Sequence, residues 1–142
     1  MSSKHIATPE KYIFTHKYRV RVSDVNYGNH LDFSALVRIL GDVRGVFLKR
    51  NGYHDLDVGG VGVITTNLVV NYKKEAFFDD ELAICLNFKK VSKHRVNILF
   101  EVLDCKSMHE VANATIGLAF YNYLKKKPVP IPNEFIEIAK LT

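Results

Sequence analysis

A change of hydrophobic period near residue 51 does most to limit the folds open to this chain. From about Asp32 to Arg50 the apolar residues Phe33, Leu36, Val37, Leu40, Val43 and Phe47 recur at helical spacing, and Asn51-Gly52 ends the stripe. Beyond a glycine-rich loop at Gly59, Gly60 and Gly62, the segments 63–72, 81–90, 95–104 and 111–123 alternate as strands do. Short polar turns at Phe78-Asp79-Asp80, Ser92-Lys93 and Lys106-Ser107 join them, and connections that short imply antiparallel neighbours. A half-buried strand at 15–23 precedes the helix, with Tyr18, Val20 and Val22 on one face and Lys17, Arg19 and Arg21 on the other. The expected fold is therefore α+β, a long helix wrapped by a curved antiparallel sheet of five to six strands. Ala112, Ala114, Gly117 and Ala119 leave room for the helix, and the uncovered edge strand points to a homodimer or homotetramer.

Inside the helix, Gly41 and Gly45 each cost about 1 kcal/mol relative to alanine, which predicts close approach of another backbone. Arg44 falls in the apolar stripe and must either snorkel past the core or meet a buried carboxylate. With 142 residues the expected organisation is one domain over 1–142. Within it, 1–12 form a loose arm and 128–142 a tail, in which Asn133 caps a short helix reaching Lys140.

Composition narrows the class further. There is no run of about 18 apolar residues and no signal-peptide pattern, so a cytoplasmic protein without a membrane partner is expected. Cys85 and Cys105 read as small buried hydrophobes, and the six histidines show no ligand spacing, so no metal is expected. The net charge of +5 comes from clusters at Lys73-Lys74, at Lys89-Lys90 with Lys93 and Arg95, and at Lys125-Lys126-Lys127. The first two border strands and could meet a phosphorylated ligand, whereas the third reads as an exposed turn. No basic and aromatic interleaving marks a nucleic-acid surface.

Chemistry concentrates between the first strand and the helix, in Ser23-Asp24-Val25-Asn26-Tyr27-Gly28-Asn29-His30-Leu31-Asp32. A carboxylate, two carboxamides and an imidazole lie there, facing the positive end and unpaired N–H groups of the helix that follows. That suits a substrate developing negative charge on oxygen.

This motif, with the order of elements, resembles the hotdog-fold thioesterases, the superfamily of 4-hydroxybenzoyl-CoA thioesterase and its acyl-CoA and acyl-carrier-protein relatives. The likeness runs from about Tyr18 to Phe135. It rests on Arg21-Val22-Ser23-Asp24-Val25-Asn26, on Gly28-Asn29-His30-Leu31-Asp32, and on Asp42-Val43-Arg44 with Phe47-Leu48 and Gly52-Tyr53. Weaker echoes are Tyr72, Asp79-Asp80-Glu81-Leu82 and Pro128-Val129-Pro130-Ile131-Pro132. The commonest family pattern reads Asp-x-Asp-x-x-Gly-His-Val-Asn with the second Asp catalytic. Here that position is Asn26, and the family glycine is Asn29. Plant-type acyl-carrier-protein thioesterases also pair Asn with His in a related context.

The resemblance implies hydrolysis of an acyl-CoA or acyl-carrier-protein thioester, with no cofactor apart from the CoA of the substrate. The catalytic candidates are Asp24 as general base or as holder of its neighbours, with Asn26 and His30. Asn29, Leu31 and Asp32 at the helix start would bind the oxyanion. Thr65 and Thr66 would add polar groups across a dimer, and Lys89, Lys90, Ser92 and Arg95 would meet CoA phosphates. Two rivals share the fold: a non-catalytic acyl-CoA or acyl-carrier binding protein, and an enoyl-CoA hydratase or dehydratase. The latter usually shows Asp-x-Asn-Pro-x-His, whereas here His30 follows Asp24 by six residues and no proline follows Asn26.

Overall fold

The computed structural model describes residues 12–141. Its elements are β1 (Phe14–Arg19), α1 (Phe33–Arg50), β2 (Gly62–Tyr72), β3 (Glu81–Lys90), β4 (Arg95–Asp104), β5 (Glu110–Asn122), β6 (Lys127–Val129) and α2 (Asn133–Ile138). The sheet is antiparallel in the order β1-β3-β4-β5-β2, and β6 pairs with the end of β5. The turn at Phe78-Asp79-Asp80 therefore does not join neighbours as expected: β2 pairs with β5 and β3 with β1, because the connection between β2 and β3 first runs along residues 30 and 31 and crosses to the other edge of the sheet. Long helix and curved six-stranded sheet form the hotdog architecture.

Packing follows the period of each element. Helix α1 buries Leu36, Ile39, Leu40, Val43, Phe47 and Leu48 against alternate residues of the sheet, among them Ile84, Leu86, Ile98, Phe100 and Leu118. Phe33, assigned to the stripe by its spacing, is 64% exposed, because the core-facing rows turn toward Ile39 and Leu48. Ala112 and Ala114 do leave room on the helix side. Gly117 lies on the opposite face, where the side chains of Thr66 and Asn67 occupy the space a Cβ would need.

Several expectations are corrected. Among the described residues nothing lies within 4 Å of a Cβ added at Gly41 or Gly45, so no backbone of another element described here approaches them. The first strand stops at Arg19, and Val22–Asp24 form a short 3-10 turn fixed by the Arg21 N–H donating to the Asp24 carboxylate at 2.8 Å. Lys127 belongs to a strand rather than a turn, because beyond Arg95 the flank of β5 is free and Lys127–Val129 take it. Helix α2 follows Pro132, with no side-chain cap from Asn133, and ends at Ile138. The expected arm lies outside the described residues except for Tyr12, whose hydroxyl donates to Glu101 on the far face of the sheet. Arg44 meets a carboxylate, though not a buried one: its guanidinium pairs at 3.1 Å with Asp55, whose side chain is 41% exposed, and donates to Thr65 at 2.8 Å. Cys85 is buried and Cys105 half-buried, both free, and burial first of all pushes both thiols up, away from nucleophile range. No helix among the described residues is long and apolar enough to cross a membrane.

Candidate active site

Asp24 anchors the loop between β1 and α1 rather than facing a substrate. Its side chain is 0% exposed and receives the Tyr18 hydroxyl at 2.5 Å, the Arg21 N–H at 2.8 Å and the Arg38 guanidinium at 2.6 Å. Burial alone would raise its pKa, but these three donors outweigh it and hold the carboxyl below the usual range. A carboxylate with its lone pairs so committed is a poor base for a substrate water. These contacts fit the second of its two expected roles, holding the loop that carries Asn26 and His30, better than the first.

Asn26 and His30 do meet, at the mouth of one cleft. The chain turns at 26–29, with the Asn29 N–H donating to the Asn26 carbonyl at 2.9 Å and Asn29 in the left-handed region at φ 65°. Gly28 donates its N–H to the Asn26 side-chain oxygen at 2.9 Å, which orients the amide nitrogen of Asn26 as a donor, with one of its two N–H groups turned toward the Asp32 carboxylate. A Cβ on Gly28 would lie 3.2 Å from the His30 ring and 3.3 Å from that oxygen, so a side chain there would crowd both. Asn26, His30, Leu31, Phe33, Leu36, Tyr72, Lys73, Lys74, Glu75, Ala76 and Val111 line a cleft of about 370 Å³, largely apolar, so the Lys73-Lys74 cluster stands at this cleft.

The helix start differs from expectation in which N–H groups it offers. Those of Asn29, Leu31 and Asp32 are taken by the carbonyls of Asn26, Ala76 and Asp24. Asp32 is instead the helix cap: it accepts from the Ser34 hydroxyl and N–H. The Ser34 hydroxyl, then backbone N–H groups and the Asn26 side chain, lower its pKa. Among the described residues the N–H groups of His30 and Phe33 keep no protein acceptor and could bond an oxygen of a bound molecule.

The remaining candidates lie elsewhere. Through the registers, Tyr72 stands level with Ala112, Val102 and Ile84, and Thr65 with Leu118, Val96 and Lys90. Thr65 and Thr66 are therefore at the far end of β2, roughly 20 Å from His30 at the usual strand rise. Lys89, Lys90 and Ser92, with Lys93 and Lys140, line a second, basic cleft of about 470 Å³ at that same far end, and Arg95 adjoins it. Among the described residues no cluster of three or more His, Cys, Asp or Glu could hold a metal ion. Glu75 was missed, and Tyr72, noted only as a weak echo of the family, was given no place at the site. No local motif marks them, and only the folding of the β2–β3 connection against residues 30 and 31 brings them to the cleft.

The family model described as the thioesterase-like superfamily matches residues 20–138. The chain belongs to the thioesterase-like superfamily. It is accordingly a thioester hydrolase by family. Among solved structures, Slr0204, a 1,4-dihydroxy-2-naphthoyl-CoA thioesterase from Synechocystis, superposes with a TM-score of 0.81 at 17% identity, over 89% of this chain and 95% of that one. A hypothetical protein from Aquifex aeolicus, AQ1494, is 25% identical with a TM-score of 0.79, over 89% of this chain and 98% of its own. SAV2348 from Staphylococcus aureus, solved in complex with CoA, has a TM-score of 0.79 at 16% identity, over 88% and 80% of the two chains.

Proposed function

We propose that this thioesterase cleaves an acyl-CoA, seating a compact or aromatic acyl group in the cleft beside His30. The observation that carries the reading is the junction itself. An apolar pocket meets the positive end of an 18-residue helix where the Phe33 N–H is free and the Asn26 amide is held as a donor. Both can stabilise the oxygen of a tetrahedral intermediate, while the thiolate leaves without much acid help. The edge of Phe33 packed against Tyr72, with ring centroids 6.3 Å apart, forms an aromatic lip that favours a flat acyl group. The basic cleft at the other end of the sheet supplies lysines for the phosphates of CoA.

The reading extends to a cytoplasmic homodimer of one-domain chains. Among the described residues no strand pairs with the outer edge of β2, whose Leu68, Val69 and Tyr72 are exposed, as is Phe33 of α1 beside Tyr72. Two copies of β2 pairing antiparallel about Leu68–Val69 would place Thr65 of the partner subunit beside Tyr72, which is how the threonines could reach the cleft. The deciding experiment is thiol release across short, long and aromatic acyl-CoAs. Benzoyl-type substrates should be cleaved with higher kcat/KM than long-chain ones, whereas tight acyl-CoA binding without thiol release would make the protein a binder only.

A further inference from the structure

The carboxylate that drives hydrolysis is not settled by the motif, since Asp24 is locked away and Asp32 is spent on capping the helix. We propose that Glu75, held beside His30, is the general base of this site; the inference rests on the acyl-CoA reading above. Among the described residues Glu75 is the one carboxylate that lines the cleft, which it shares with Lys73 and Lys74, and its Oε2 lies 3.6 Å from Nε2 of His30. The contact is built by backbone rather than by a loose loop. Leu31 N–H donates to the Ala76 carbonyl at 2.7 Å, residues 30 and 77 form an antiparallel bridge, and Ala76 is buried, so Glu75 is fixed opposite the imidazole.

The geometry also separates the roles. His30 turns Nδ1 toward the Leu31 carbonyl at 3.4 Å and Nε2 toward Glu75, so both ring nitrogens are directed at oxygen acceptors. Free lone pairs at the rim belong to the carboxylate, which is 64% exposed. Glu75 takes a proton from a water whose oxygen attacks the acyl carbon, and the carbonyl electrons move to the oxygen held by the Phe33 N–H and Asn26. The C–O double bond then re-forms, the C–S bond breaks, and the proton held on Glu75 goes to the departing thiolate. Acyl-CoA and water thus become the free acid and CoA thiol. His30 orients the carboxylate and shields its charge from the apolar wall.

The test uses the full chain with its best substrate from the acyl-CoA panel, comparing wild type with Glu75→Gln, Glu75→Asp and Asp32→Asn. Glu75→Gln should lower kcat by about 10²- to 10⁴-fold, the usual contribution of a positioned base, with KM changed less than threefold. It should also erase the acidic limb of the kcat/KM profile, and Glu75→Asp should recover part of the rate. Because the side chain is exposed, the melting temperature should stay at the wild-type value, which separates lost chemistry from lost fold. A kcat loss under tenfold in Glu75→Gln, or a larger loss in Asp32→Asn, overturns the assignment and leaves the thioesterase reading standing. Absence of thiol release by wild type from every acyl-CoA removes the reading and the assignment together.

Discussion

Asp24 shows how one residue's role depends on what its oxygens touch. Three donors fill a carboxylate that water does not reach, and the helix-start loop is fastened through it to Tyr18 on β1 and to Arg38 on α1. Asp24→Asn should cost about 2–4 kcal/mol at neutral pH, discounted because Arg38 is half exposed and regains water when unpaired. Chemical denaturation of the two proteins measures it. The pH dependence has a fixed sign: a carboxyl lowered in the folded state stabilises above the ordinary value of about 3.9 and loses that contribution as pH falls through its folded value. Wild type should therefore weaken below about pH 4, and Asp24→Asn should show a flatter acid limb. The types of residue at this junction were legible from sequence, and so was their meeting place. Which of two aspartates was buried and which capped the helix was not, because both are short carboxylates in a turn-rich segment.

At the scale of elements, the helix and the four long strands were legible because each carries its period over ten residues or more. The strand β6 was not, since three residues containing a proline carry no period and pair only where β4 leaves the side of β5 open. The glycines of α1 make the clearest prediction here. With helical backbone and open space around an added Cβ, Gly41→Ala and Gly45→Ala should each stabilise by about 0.5–1 kcal/mol, raising Tm by roughly 2–4 °C. Calorimetry checks it. A loss of stability at either position would instead reveal a neighbour supplied by a second copy packing on the helix.

For the whole molecule, the exposed edge of β2 predicts self-association. Wild type should sediment as a dimer or larger, and Leu68→Arg should shift it toward monomer while the circular dichroism spectrum keeps its shape. Whereas the pairing of β2 with β5 was decided by the tertiary structure, the sequence by itself determined the α+β architecture, the antiparallel pairing of β3 with β4 and of β4 with β5, and the junction where polar groups gather. Those follow from period, turn length and residue type, which act between near neighbours. Tertiary structure alone decided that Asp24 points inward, that Phe33 rather than Leu31 keeps a free N–H, and that Glu75 stands against His30. The first depends on three side-chain and backbone donors from β1, the loop and α1 converging on one carboxylate, and the other two on segments more than 40 residues apart meeting, Leu31 with Ala76 and His30 with Phe77.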